Sequence, residues 1–342
     1  MNKLMALWSR YFSSINAIIR AGMGLAIVML FVAYYVIAYG FDDRGRGAIT
    51  FLQRLEEQAY DIRLRATMPE KMDPRIVVID IDEKTLAAEG RWPLSRDRWV
   101  LLLTQLFDNY KIKVVGFDVL FTEADSSSGL DKLESLAKGP LKSSAEFQER
   151  LAELRPQLDY DAQFAETMKK YPVVLAFAPS NDRAGGSQES LQLGVLPPPT
   201  FTAEAIKKPI VALEIAGYSG NLPALQASSS ATGHIQPMID FDGVLRRIPL
   251  FIKYKDGYYE SLALATYRTY LDNEPVKIVL REDEGDRRPK LKHAQVRNSI
   301  IPIDAFGATF IPFRGSSPMY RYVSGTDVMR GKHELVAADN LE

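Results

Sequence analysis

The sequence contains no cysteine and only three histidines among its 342 residues. The absence of cysteine excludes a disulfide framework, a thiolate metal site and a cysteine nucleophile. The histidines, His234, His293 and His333, are far apart, and none has a second histidine at the spacing of a metal-ligand pair. A zinc site is therefore not predicted.

The sequence also lacks an excess of charge of either sign. Because the net charge is only −1, no overall electrostatic attraction draws the chain to nucleic acid, and we expect no nucleic-acid partner. The sequence has no phosphate-binding loop, no dinucleotide fingerprint after a strand, no serine-hydrolase elbow and no zinc-protease helix motif. These absences predict that the 342 residues contain no catalytic residues and bind no cofactor.

One long uncharged run stands out against this background, at Ala21–Gly40. At a rise of about 1.5 Å per residue, twenty helical residues span roughly the 30 Å of a bilayer core. Lys3, Arg10 and Arg20 precede the run with no acidic residue among them. The positive-inside rule then predicts a cytoplasmic segment over 1–20, a transmembrane helix over 21–40 and an extracytoplasmic chain from Phe41 onward.

A cleaved signal peptide is the alternative interpretation of this run. The run is longer than the roughly 7–15 apolar residues of a signal peptide, and Tyr34, Tyr35 and Tyr39 leave no small-residue cleavage site. Tyrosines near the outer end are typical of the interfacial belt of a membrane helix. The pattern favours an uncleaved anchor.

Residues 41–74 are predicted to form a juxtamembrane helix and a loop. Within the helix, expected over 47–68, apolar residues recur at helical spacing at Leu52, Leu55, Ala59, Ile62 and Ala66, which we call the seam. The seam either packs on the domain's own sheet or pairs with a second subunit. It is too short to predict a coiled coil, which needs about three or four heptads.

Residues 75–342 are predicted to form one α/β domain. Apolar runs at 75–81, 113–121 and 172–178 are typical of strands buried on both faces, and helical patterns at 99–110 and 161–171 lie between them. This alternation predicts a mostly parallel mixed sheet flanked by helices, preceded by the transmembrane helix. After Pro197–Pro199 the pattern is rich in strands, with an amphipathic helix at 258–270 and a charged, solvated arm at 281–297.

A polar insertion separates the second and third predicted strands, at Thr122–Tyr160. Ser143 and Glu146 have the spacing of a capping box that opens a short exposed helix. A loop of this length is unusual unless it is functional or mobile. It is either a solvated excursion or a partner-binding or gating element.

The candidate ligand or metal cleft consists of Asp80, Asp82, Trp92, Arg96 and Asp118. The three carboxylates fall near the ends of two predicted strands, where ligands bind in doubly wound sheets and where carboxylates could hold a divalent cation. They could equally cap helices or pair with Arg96 and Arg98. Asp118 is expected in a buried strand, so its replacement by Ala is expected to disturb folding.

A second motif, at Asp242–Arg247, predicts a turn entering a strand. In a strand, Arg246 and Arg247 point to opposite faces, so we expect one of them to pair with an inward carboxylate.

Several short segments together resemble the CHASE2 family, an extracytoplasmic sensor domain of bacterial membrane receptors. They are Tyr60–Arg65, Ile76–Asp80, Trp92–Arg96, Val114–Asp118, Val173–Ala176 and Asp242–Leu250. The resemblance implies a periplasmic domain on the bacterial inner membrane, with three further membrane helices and a cytoplasmic output domain after it. The output is commonly a class III adenylate or guanylate cyclase that uses ATP and Mg, and sometimes a histidine or Ser/Thr kinase.

The resemblance also implies a departure at the end of the chain. In the family a further core strand follows the region similar to Ala338–Leu341, whereas this sequence stops at Glu342. We expect the last strand, the return helices and the output domain to belong to a longer receptor. Because class III cyclases generally build their active sites between two catalytic domains, a homodimer is expected.

Three functional hypotheses remain open from the sequence. The first is a sensor that binds an unknown periplasmic ligand or protein and regulates the output domain, most simply an adenylate cyclase that makes cAMP. The second is a membrane-tethered periplasmic hydrolase that uses a metal held by Asp80, Asp82 and Asp118. The third is a structural domain that holds two output chains together.

Overall fold

The computed structural model describes residues 19, 22–34, 46–180, 191–206, 210–240, 242–280, 291–304, 306–315 and 319–332. The side chains of residues 46–54 lie outside this description. The chain divides into two compact units, 1–68 with 241–243, and 69–240 with 244–342. The first boundary lies six residues before the predicted domain start at Arg75.

The first unit is mainly helical in its described residues. Residues 22–34 form a helix, while 21 and 35–40 of the predicted membrane span lie outside the described ranges. Within those ranges, no helix has both the length and the apolar composition needed to cross a bilayer, and the predicted transmembrane helix is not found there. Helix α1 covers Arg46–Thr67, which confirms the helix predicted over 47–68.

Strands and helices alternate in the first part of the second unit, as the sequence predicts. The elements are β1 (Val77–Asp80), α2 (Glu83–Glu89), α3 (Arg96–Thr104) with a π-helical turn at Gln105–Asn109, β2 (Val115–Phe117), α4 (Leu130–Lys138), α5 (Ala145–Leu158), α6 (Tyr160–Met168) and β3 (Val173–Ser180). The predicted strand at 113–121 is shorter than expected. Residues 173–177 of β3 are all buried, as the unbroken apolar run predicts.

Short strands dominate the second part of this unit. The elements are β4 (Gln192–Leu193), β5 (Phe201–Thr202), β6 (Leu213–Glu214), β7 (Gly217–Ser219), α7 (Pro223–Ser228), β8 (Ala231–His234), β9 (Met238–Ile239), β10 (Leu245–Pro249), β11 (Phe251–Tyr254), β12 (Gly257–Glu260), α8 (Leu262–Tyr270), β13 (Lys277–Leu280), β14 (Leu291–Val296), β15 (Ser299–Pro302), β16 (Ala308–Phe310), β17 (Arg321–Ser324) and α9 (Gly325–Met329).

The strand pairing corrects the expectation of one mostly parallel sheet. The pairs β2–β3, β3–β8 and β1–β17 are parallel. The second part instead forms antiparallel groups, β16–β10–β9, β5–β12–β11 and β13–β14–β15, among the described strands. Short connections explain the pairs β9–β10, β11–β12 and β14–β15, since neighbours joined by a short turn lie antiparallel. The antiparallel pairs β16–β10 and β5–β12 instead join strands remote in sequence.

Two large apolar clusters stabilise this unit. The first lies where α3 and α6 cover β2 and β3, and its aromatic centre is formed by Trp99, Phe117, Phe121 and Phe164. Their rings meet edge to face at centroid separations of 5.2–6.1 Å, which is the favoured geometry of aromatic pairs. The second cluster joins β11, β12, β14 and α8 around Phe251 and Tyr258.

Three element predictions need correction. The predicted helix at 258–270 is strand β12 followed by α8, because the Ser261 hydroxyl caps the helix by accepting from the Leu264 amide at 3.3 Å. The insertion holds two helices, α4 and α5, and Ser144 rather than Ser143 caps α5. Strand β14 buries Leu291, Ala294 and Val296, so the end of the predicted charged arm is core; residues 281–290 lie outside the described ranges.

Candidate functional site

The structure places two of the predicted carboxylates after β1. Asp80 is exposed at the end of the strand. Asp82 is the N-cap of α2, where its Oδ1 accepts from the Thr85 amide at 2.8 Å, the Thr85 hydroxyl at 2.7 Å and the Ser324 hydroxyl at 2.9 Å. Burial raises the pKa of Asp82, but these hydrogen bonds outweigh burial and leave the pKa below its usual value. This carboxylate therefore fixes the start of a helix.

The third carboxylate, Asp118, is exposed just beyond β2. The expectation of a buried position is wrong because the strand ends at Phe117, one residue earlier. Across the described ranges, no group of three or more acidic or histidine side chains could hold a metal ion. The structure does not bring Asp80, Asp82 and Asp118 together as a metal site.

Trp92 and Arg96 flank the start of α3 and have different surroundings. Trp92 is 52% exposed and meets Trp99 edge to face at 6.3 Å. Arg96 is 6% exposed, and its guanidinium donates to Asp161 Oδ1 at 3.2 Å and to the Glu123 carbonyl at 2.9 Å. Its Cζ also lies 4.7 Å from the centre of the Phe121 ring. Arg96 thus connects α3 to the beginning of the insertion and to α6.

The motif around Arg246 and Arg247 forms a buried ion-pair cluster. Arg246 Nη1 donates to Asp240 Oδ2 at 3.1 Å, and Arg247 binds the other oxygen of the same carboxylate. Arg247 Nη1 also donates to Asp304 Oδ2 at 3.0 Å. The expected pairing of an arginine with an inward carboxylate is confirmed, and both arginines take part, because the pairing of β9 with β10 shifts register between Leu245 and Arg247.

Helix α2, near the start of the second unit, is joined to residues 326–330 in and just after α9 by a group of polar contacts, which we call the clasp. Glu89 of α2 accepts from the Thr326 hydroxyl at 2.6 Å and from Arg330 Nε at 3.1 Å. Lys84 forms an ion pair with Asp327 at 2.5 Å. The hydrogen bond between Glu89 and Thr326, and the nearby arginines, hold the pKa of Glu89 below its usual value even though burial opposes them. The clasp supports the parallel pairing of β1 with β17.

A polar pocket of about 260 Å³ lies elsewhere in the second unit, where three segments distant in sequence meet. They are the start of β8, the proline loop before β5, and the end of β12 with the helix α8 that follows it. Its lining includes Pro197, Pro198, Thr232, Tyr259, Glu260 and Arg268. None of these residues was a candidate from the sequence.

Glu260 is the most informative residue of the pocket. Its side chain is 7% exposed, and Oε1 accepts from Arg268 Nη1 at 2.5 Å. Oε2 is buried and has no hydrogen-bond partner among the described residues. Burial raises the pKa of Glu260, and Arg268 opposes this rise without cancelling it. A buried carboxylate with one unsatisfied oxygen is an acceptor in need of a donor.

Sequence reasoning missed Glu260 for a specific reason. The expected helix over 258–270 places this glutamate within a helical turn, whereas it is the last residue of β12 and directly precedes the helix cap. The available signal was Ser261, because a serine before an apolar run is a common helix start.

A mixed α/β fold with a polar pocket fits an extracytoplasmic sensor domain of a signalling receptor, and comparison with known families defines which one. The CHASE2 domain model matches residues 27–341, almost the entire chain, so the chain belongs to the CHASE2 family. CHASE2 domains are extracellular or periplasmic sensor domains of signalling receptors. Neither the curated proteins nor the solved structures give a match to this chain.

Proposed function

We propose that this chain is the periplasmic input domain of a bacterial transmembrane receptor, and that it regulates a cytoplasmic adenylate cyclase that makes cAMP. The observation that carries the proposal is the CHASE2 match over residues 27–341, since this family is a sensor family. Residues 21–40 anchor the domain in the inner membrane, with 1–20 in the cytoplasm. The charge asymmetry around the uncharged run supports this orientation.

The pocket beside β8 is the ligand site in this proposal. A ligand changes the balance between two receptor states only by binding one of them more tightly. The walls of the pocket come from three separate segments, so a bound molecule would alter their relative positions. Such a change supplies the differential affinity that a sensor requires.

Helix α1 carries the signal toward the membrane in this proposal, and the receptor acts as a homodimer. Leu55 and Ile62 of the seam are 46% and 66% exposed, and Ala59 is exposed as well. Leu52 lies outside the residues whose side chains are described. Exposed apolar side chains at helical spacing are the expected features of a helix that pairs with a second copy.

Topology is tested with paired reporter fusions after Ser180, the last residue of β3. Alkaline phosphatase, which is active only in the periplasm, should be active there, and green fluorescent protein exported by the same route should be dark. The reverse pattern would place the domain in the cytoplasm and end the proposal. A fusion at Ser14 serves as the control and should show the opposite pattern.

The output is tested on the complete receptor. Membranes from cells that express it should form cAMP from ATP and Mg, and deletion of residues 69–332 should change that rate. Transfer of phosphate to protein without cAMP formation would replace the cyclase by a kinase output. An unchanged cyclase rate after the deletion would refute the sensor function itself.

A further inference from the structure

We propose that the pocket beside β8 binds a small, uncharged organic molecule that combines an N–H or O–H donor with a flat apolar face. The inference rests on the proposed sensor function, because it assigns the ligand class of that sensor. Three features of the pocket support this ligand class: the hydrogen-bonding state of Glu260, the charge of the lining residues and the shape of the cavity.

Glu260 determines the donor requirement. One of its oxygens is satisfied by Arg268 at 2.5 Å, while the other is buried without a partner in the described chain. This oxygen has almost no accessible surface, so a ligand donor reaches it only when the pocket wall shifts. Because a buried acceptor without a partner is unfavourable, that contact stabilises the occupied state relative to the empty one. A ligand with only acceptors would meet this oxygen with repulsion.

The charge of the pocket favours an uncharged ligand. Glu260 and Arg268 form an ion pair, and the remaining lining side chains are uncharged. Arg268 Nε is already used, because it donates to the Glu274 carbonyl at 2.7 Å. A cation or an anion would therefore lose its hydration without meeting an unpaired opposite charge.

Part of the wall favours a ligand with one flat apolar face. Pro197, Pro198, Ala231, Tyr259 and Ala265 form this part, while the rest of the lining is polar. The volume of about 260 Å³ is slightly below the range of about 300–1,000 Å³ that is typical of pockets for drug-sized molecules. The ligand is therefore about the size of a single substituted ring.

Three probes of equal size separate the effect of charge from that of shape. Benzamide is uncharged and has N–H donors, benzoate is an anion without a donor, and protonated benzylamine is a cation with donors. Each is titrated into the full chain in detergent micelles at pH 7, and binding is followed by saturation-transfer NMR. We expect benzamide to bind at least about ten times more tightly than either charged probe. Equal binding of the three probes, or no binding of benzamide, would overturn the proposal.

Two substitutions locate the binding to this pocket. Glu260→Gln keeps the shape, but its amide oxygen is needed by Arg268, so its NH₂ group would face the ligand donor. Benzamide affinity should fall at least about tenfold. If this variant fails to fold, Ser230→Phe serves instead, because Ser230 lines the pocket and is exposed at its rim.

Ser230→Phe should abolish benzamide binding while the melting temperature stays unchanged. The matched control is Ser126→Phe, at an exposed position of the insertion that does not line the pocket, and it should bind as the parent does. Benzamide binding that persists in Ser230→Phe would place the site elsewhere. Binding that follows these expectations without any change in receptor output would preserve the ligand class and refute the sensor function instead.

Discussion

Replacement of Arg96 by Ala is expected to destabilise the second unit strongly. The guanidinium is buried, and its loss removes the ion pair with Asp161, the hydrogen bond to the Glu123 carbonyl and the contact with the Phe121 ring. Breaking a buried pair by removing one partner costs about 3–5 kcal/mol, and the lower end of this range applies because Asp161 keeps the hydrogen bond from the Asp125 amide. At about 2–4 °C per kcal/mol, the melting temperature should fall by roughly 10 °C.

Asp161 provides a second measurement on the same variant. Burial already raises the pKa of this carboxyl, while the Asp125 amide and Arg96 lower it. Without Arg96 the pKa should rise further, so Asp161 should take up a proton at a higher pH in Arg96→Ala than in the parent. Differential scanning calorimetry gives the melting temperature, and carbon-detected NMR of the carboxyl gives the titration.

The control is Arg150→Ala. Arg150 also forms an ion pair, with Glu153 at 2.7 Å, but its side chain is 72% exposed. Exposed pairs contribute about 0–1 kcal/mol, so this variant should melt within about 2 °C of the parent. Equal melting temperatures for Arg96→Ala and Arg150→Ala would refute the view that Arg96 holds α3, the insertion and α6 together.

Three further predictions follow from burial and exposure. His234 is fully buried, and burial lowers its pKa to about 3, whereas its pKa in the unfolded chain is about 6.5. Between these two values the unfolded chain binds a proton that the folded chain does not. The free energy of unfolding should therefore fall as the pH drops from 6.5 toward 3. The urea midpoint should decrease less between pH 7 and pH 5 in His234→Asn than in the parent protein. An equal decrease in both proteins would contradict the assignment of this pH dependence to His234. Asp118→Ala, at an exposed position, should change the free energy of unfolding by less than about 0.5 kcal/mol; a loss above 2 kcal/mol would restore the buried interpretation. Leu55→Asp should be a monomer by light scattering and should keep the circular dichroism spectrum of a folded protein. An unchanged oligomeric state would show that the seam does not form the dimer contact.

The sequence predicts where the strands and helices of this chain lie better than it predicts which strands pair with one another. The apolar runs of β1 and β3 identify those strands, although only β3 is buried on both faces as the pattern predicts, while β1 is half-buried and ends at the exposed Asp80. The partner of β1 was not predictable in the same way. Its neighbour β17 is encoded some 240 residues later, and only the packed fold brings the two together.

The candidate site shows the same limit. Helix capping was one of the roles predicted for Asp82, and the structure confirms it; the further hydrogen bond from Ser324 could not be predicted, because Ser324 is remote in sequence. The pocket could not be predicted because Pro197, Thr232 and Arg268 belong to three separate segments. No local sequence pattern identifies a carboxylate oxygen without a hydrogen-bond donor, because the missing donor depends on how segments distant in sequence pack around that carboxylate.

The pairing of β1 with β17 has a consequence for biosynthesis. At a synthesis rate of about 5–20 residues per second, the residues between these strands take on the order of 10–50 s to appear. During that time β1 exists without the strand that it pairs with in the finished chain. An unpaired strand edge is prone to aggregation, which gives this domain a vulnerable interval before β17 is synthesised. A chaperone that shields residues 77–80 until Arg321–Ser324 emerge would shorten that interval, and cells depleted of such a chaperone should accumulate aggregates of this domain.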